Sequence, residues 1–274
     1  MHDDPPAPLV PADASAGPRA PGVLDYTLAP LSWRDPLRWL ALGWRDFLRC
    51  PGLGLFYGFA FAAMGWCLLF AFRHAPAWTL ALSAGFLLVG PFMCMGLYQA
   101  SQRLERGEQP ALADSLLAWE DKLGAMAIFG GVLLILEMVW ARASLVVFAI
   151  SFDGMPDFGG SLAGLLTLEN LGFIVAYLAV GGVFAGLIFG ISVVSIPMLL
   201  DQPVDAITAA LTSLRLVLSR PLVMLCWGAL ITLIVALALL PGFAGLLVAG
   251  PVLGHASWHA YRAAVRPARD TSSA

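Results

Sequence analysis

The chain has 274 residues, of which 59% are hydrophobic and only 12% charged, which excludes an ordinary soluble domain, where about a quarter of residues carry charge. Its formal net charge of −3 is too small to point to nucleic acid or a strongly acidic partner. Lipid is therefore the expected solvent for most of the chain, and the lipid bilayer its first partner.

In chain order, residues 1–32 are rich in Pro, Ala and Asp, without the basic start and short apolar run of a cleavable signal. They read as a disordered cytoplasmic tail. Pro36 then opens PLRWLALGWRDFLR, with Arg38, Arg45 and Arg49 on one helical face and Leu40, Trp44, Phe47 and Leu48 opposite. Such a helix suits the headgroup plane, where its basic face would be interfacial. Two apolar runs follow, about 52 to 72 and 77 to 98, each reaching the ~20 residues that cross a ~30 Å hydrocarbon core.

Pro110 opens a second unit. Leu112, Leu116, Trp119 and Leu123 form a stripe, with Asp114, Glu120 and Asp121 turned away, and apolar runs follow at about 124 to 150 and 171 to 200. Pro203 opens a third, with Ile207, Leu211, Leu214 and Leu218 on one face and runs at about 222 to 240 and 242 to 260. Unbroken apolar runs predict helices rather than the ten-residue alternation of a membrane barrel.

The fold class is thus all-α: a polytopic membrane protein with six transmembrane helices in three helical-hairpin repeats, each preceded by a short amphipathic interfacial helix. The repeats cover about 34–108, 109–202 and 203–265 inside a membrane domain of 33–265, and 266–274 form a second cytoplasmic tail. LRCPGLGLFYG, Leu48 to Gly58, aligns with LSRPLVMLCWG, Leu218 to Gly228, at an offset of 170, and GPFMCMGLYQA, Gly90 to Ala100, with GPVLGHASWHA, Gly250 to Ala260, at an offset of 160. Two spans per unit make the repeats parallel, and a pseudo-threefold bundle is their natural arrangement.

Arg19, Arg34, Arg38, Arg45, Arg49, Arg103, Arg106, Lys122, Arg215, Arg220, Arg262, Arg266 and Arg269 fall on one side of these spans, whereas the opposite loops hold Arg73 and, from Ser151 to Asn170, the acids Asp153, Asp157 and Glu169. Both termini are therefore expected in the cytoplasm.

Few residues carry chemistry. Glu137 is the only carboxylate well inside a span, where ionisation costs about 2.5 to 3.5 kcal/mol on the insertion scale. It is either part of a proton or cation path or bonded to a neighbouring helix. His255 and His259 are four apart and share a helical face, so they could approach one metal or one relay. A zinc site would need a third ligand, with Asp201 the candidate. Without one, the histidines serve interhelical bonding and an interfacial belt with Trp258, Tyr261 and Arg262, and no metal or cofactor is assigned.

Gly182, Gly186 and Gly190 form a GxxxGxxxG run suited to helix packing, either internal or through self-association. Pro91, Pro197 and Pro251 are expected helix kinks, with Ser192 and Ser195 placed to bond a carbonyl freed by Pro197. Matched broken helices are a pointer to transport. Cys50, Cys67, Cys94 and Cys226 lack metal-ligand spacing and read as free thiols. No phosphate loop, HExxH or GxSxG string is present.

At WRDFLRCPGLGLFYG, LYQASQRLERGE, SIPMLLDQPVDA and GHASWHAYR the chain resembles a bacterial family of predicted integral membrane proteins catalogued as domain of unknown function 2189. The resemblance runs from about Trp33 to Val265 and implies six spans in a bacterial inner membrane, with no activity attached. The expected role is that of a non-enzymatic membrane scaffold or assembly partner, self-associating or binding another membrane protein. The alternative is a small permease or channel-like transporter with a polar site around Glu137 and His255.

Overall fold

A computed structural model describes residues 22–74, 79–152 and 167–268. It is all-helical, with 82% helix. Prolines mark the helix starts, as expected where a missing N–H costs nothing. α1 (Asp35–Arg49) has Pro36 in its first turn, α2 (Pro51–His74) begins on Pro51, and α9 (Pro221–Leu239) begins on Pro221. The residues before the latter two prolines, Cys50 (φ −136°, ψ 59°) and Arg220 (φ −133°, ψ 54°), turn the chain through the same corner.

The remaining helices are α3 (Thr79–Glu105), α4 (Leu112–Leu116), α5 (Leu123–Ser151), α6 (Leu171–Ser192), α7 (Ser195–Asp201), α8 (Ala206–Ser219) and α10 (Leu246–Ala264). Four segments among the described residues are long and apolar enough to cross a membrane: Pro51–His74, Leu112–Ser151, Leu168–Asp201 and Pro221–Leu239. α10 differs because its second half carries His255, His259 and Arg262.

α10 lies at the centre, packed against α1, α2, α3 and α9. Contact with α1 is close enough that a Cβ added at Gly43 would lie 2.6 Å from both Ala256 N and Val252 O. At Gly58 on α2 the same addition would run into the backbone of Leu247. α4 rests on α3 and α8 on α6, while the ends of α3, α7 and α10 converge. The core there is built from Trp39, Met95, Met198, Trp227, Trp258 and Tyr261, with Trp39 and Trp227 edge to face at 5.6 Å.

Several expectations change. Residues 22–32, assigned to the disordered tail, are placed instead: β1 (Tyr26–Leu28) pairs antiparallel with β2 (Val265–Pro267), which takes up residues 266 and 267 of the other tail. Tyr26 is buried, and Ala29 N–H donates to Ala264 O, so this ribbon closes over the end of α10. Residues 1–21 and 269–274 of the expected tails lie outside the described residues, as do Arg19, Asp153, Asp157 and Arg269.

The second amphipathic helix is only the five residues of α4, followed by single turns through Leu117, Glu120 and Lys122. Ser115 Oγ donates to Leu112 O and meets Tyr57 Oη at 3.1 Å, which ties α4 to α2.

α1 has three faces, not two. Trp39, Gly43, Asp46 and Cys50 face inward; Leu37, Trp44 and Leu48 are exposed; and Arg38, Arg45 and Arg49 form a separate exposed basic face. Phe47, read as part of the apolar face, is buried. α8 has a related inversion, with Thr208, Thr212 and Ser213 inside and Ile207, Leu211 and Leu218 outside. Polar and small residues inside with leucines outside is the polarity of a protein in lipid.

At Pro197 the chain breaks between α6 and α7, through Val193 and Val194. Ser192 and Ser195 donate to Ile188 O and Ile191 O, each one turn back, rather than to the Val193 carbonyl that the proline frees. α3 and α10 continue as helix on both sides of Pro91 and Pro251.

Candidate functional site

Where α1, α3, α7 and α10 converge, their polar side chains form one connected chain. α1 contributes Asp46, 5% exposed, and α3 and α10 contribute the fully buried Ser101 and His255. Ser101 Oγ donates to Asp46 Oδ2 at 2.9 Å, and His259 Nε2 meets the same oxygen at 2.7 Å. A carboxylate only accepts, so the Ser101 proton is committed to Asp46 and its lone pair accepts from His255 Nδ1 at 2.8 Å. That fixes a proton on His255 Nδ1 and leaves Nε2 buried without a partner among the described residues.

Burial pushes the Asp46 carboxyl upward, but the hydrogen bond and charge of His259, the hydrogen bond of Ser101 and the nearby His255 outweigh it and hold the group below its ordinary value. His259 Nδ1 in turn lies 3.6 Å from Glu105, which reaches Arg262 at 3.3 Å. Arg262 is 3.5 Å from Asp201. Asp201 also accepts from Tyr261 Oη at 2.7 Å, Gln102 Nε2 at 2.9 Å and Gln202 Nε2 at 2.8 Å.

This arrangement brings together three of the four residues singled out in the sequence: His255, His259 and Asp201. The histidines meet through Asp46 and Ser101, and Asp201 joins them by way of Arg262 and Glu105. Among the described residues, no group of three His, Cys, Asp or Glu side chains is placed to hold a metal ion. Glu137 takes no part. It sits half-buried on α5 with no hydrogen-bond or ion-pair partner among the described residues.

Sequence reading missed Asp46 and Ser101. The signal for Asp46 was present in Trp39, Gly43, Asp46 and Cys50, spaced four, three and four, which puts the carboxylate on one stripe with an aromatic and a close-approach glycine.

The chain meets solvent in two pockets. One, of about 420 Å³, has His259, Arg38, Arg262 and Arg266 in its lining; the other, of about 240 Å³, is bounded by Gln102, Glu105, Arg106 and Asp201. A third, apolar, pocket of about 420 Å³ lies between α2, α9 and α10, lined by Phe61, Leu68, Ile231 and Phe243 among others.

The expected glycine face divides. Gly190 is buried, its carbonyl accepting from Ser213 Oγ of α8 at 2.8 Å. Gly182 and Gly186 are exposed, and a Cβ at either would meet nothing within 4 Å.

No curated protein and no solved structure matches the chain. Residues 79–201 match the model of the family described as predicted integral membrane protein, domain of unknown function 2189.

Proposed function

We propose that this protein is a non-enzymatic scaffold or assembly partner in a bacterial inner membrane, with six spans in three parallel hairpins and both termini cytoplasmic. α3 and α10 supply the two further spans; at ~1.5 Å per residue the 19 residues of α10 reach about 28 Å. The packing order supports three repeats, because each amphipathic helix rests on the second span of the preceding unit: α4 on α3, α8 on α6, and α1 on α10. The matched corners at Cys50 and Arg220 and the basic residues gathered at one end of the bundle support the repeat and the orientation.

The observation that carries the assembly reading is the outward face of α6. Gly182 and Gly186 leave room for another helix to approach, while Asp46, Ser101, His259 and Asp201 bond one another or their neighbours among α1, α3, α7 and α10. Glu137 stands apart from the chain that holds His255, so a permeation path through both lacks geometric support.

The test is Gly182→Leu with Gly186→Leu, followed by blue native electrophoresis of membranes solubilised in mild detergent. A complex that shifts to the mass of the free chain supports the role. An unchanged complex, or a wild-type protein that runs only as a monomer, counts against it.

A further inference from the structure

We infer that the pocket between α1, α10 and β2 binds the phosphate group of an anionic phospholipid. Arg38 of α1 and Arg266 of β2 line it, with Arg262 and His259 of α10 and Trp39 as apolar wall. Arg262 is shared with Glu105 and Asp201. The Arg38 and Arg266 side chains have no acceptor among the described residues. Asp35, the carboxylate in the lining, accepts the Ser32 N–H at 2.7 Å.

Two guanidinium groups without an ion pair among the described residues therefore share one concavity with the single carboxylate of Asp35, and the planar fork of arginine matches phosphate oxygens in pairs. Free phosphate would need nothing more. The neighbouring face of α1 favours a lipid, because Leu37, Trp44 and Leu48 are 58%, 47% and 57% exposed. They lie about a quarter turn from Arg38, on an amphipathic helix of the interfacial kind. A headgroup held by Arg38 and Arg266 would place its acyl chains along that stripe, so a single ligand uses both features.

The test is native mass spectrometry of the full chain in detergent, titrated with phosphatidylglycerol and, separately, phosphatidylcholine of the same acyl chains. Wild type is expected to retain phosphatidylglycerol selectively. Arg38→Gln and Arg266→Gln should each weaken it about fivefold, and the pair roughly thirtyfold, the size expected for a basic side chain near an anionic lipid. Arg38→Lys, which keeps the charge and loses the fork, should bind between wild type and Arg38→Gln. Arg45→Gln with Arg49→Gln, on α1 but outside the pocket, should leave it unchanged.

Equal retention of the two lipids by wild type overturns the inference without reference to any variant, and so does a loss as large in the Arg45 and Arg49 pair as in the Arg38 and Arg266 pair. Displacement of the lipid by millimolar inorganic phosphate would reassign the pocket to a soluble phosphate and overturn the lipid assignment.

Discussion

Replacing Asp46 tests the convergent polar chain at its centre. Its Oδ2 accepts from Ser101 at 2.9 Å and from His259 at 2.7 Å, and hydrogen bonds to a charged group are worth about 1.5 to 3 kcal/mol each. Asp46→Ala removes both and strands the buried Ser101 hydroxyl and the part-buried His259, and breaking a buried charged pair from one side costs about 3 to 5 kcal/mol. His259 retains Glu105 at 3.6 Å on its other nitrogen, which places the expected loss at about 3 to 4 kcal/mol. Asp46→Asn keeps an acceptor oxygen without the charge and should cost about 1 to 2 kcal/mol.

At roughly 2 to 4 °C per kcal/mol for a chain of this size, Asp46→Ala should lower the melting temperature in detergent by about 6 to 16 °C. The pH dependence follows from the depressed carboxyl. Its stabilisation is fully present above the unfolded value of about 3.9 and is lost as the pH falls through the lower folded value. The gap between wild type and Asp46→Asn should therefore hold at neutral pH and close below about pH 4. A double-mutant cycle with His259→Ala should give a coupling of about 1 to 3 kcal/mol. A melting temperature for Asp46→Ala equal to wild type, or a coupling near zero, would refute the reasoning.

Two other substitutions or modifications probe separate parts of the account. Gly43→Ala puts a methyl 2.6 Å from the backbone of α10 and should cost at least the ~1 to 3 kcal/mol of an overpacked core, read as a drop in melting temperature. Gly52→Ala, with nothing within 4 Å, should be neutral or better; equal effects at the two glycines would contradict the α1–α10 contact. Burial pushes the Cys50 thiol up to about 11, and its Sγ–H bonds Asp46 O at 3.3 Å. In folded, detergent-solubilised protein at neutral pH, Cys50 should resist maleimide until denaturant is added; labelling of Cys50 at the rate of the denatured chain would show that the corner is open.

Much of the helical frame was legible because lipid imposes long apolar runs and proline marks starts. Pro36, Pro51 and Pro221 lie at the beginnings of α1, α2 and α9, and the repeat of LRCPG in LSRPL reappears as a shared backbone corner. The site was half legible. His255 and His259 share a face, as their spacing requires, but the group they share sits 209 residues before His255 on α1 (255 − 46). Asp46 follows Arg45 and sits near Arg49, so in sequence it resembles a solvated ion pair. Only the packing of Gly43 on Ala256 turns it inward. The second amphipathic helix is shorter than its stripe of Leu112, Leu116, Trp119 and Leu123, because periodicity records which residues share a face and not where the backbone leaves α-helical geometry, here after Leu116. Residues 22–32 were assigned to the tail on composition, whereas a partner strand beyond α10 gives Tyr26 and Leu28 a place to pair.

The most direct test of the assembly role is disulfide cross-linking in native membranes. With Cys67 and Cys226, the exposed cysteines, replaced by serine, a single cysteine is placed at Gly182 or Gly186 and, as control, at Leu222, which is 78% exposed on α9. Cross-linked products from the α6 positions and none from Leu222 are the predicted result. No product from either glycine position, or equal yields at all three positions, would contradict a docking face on α6.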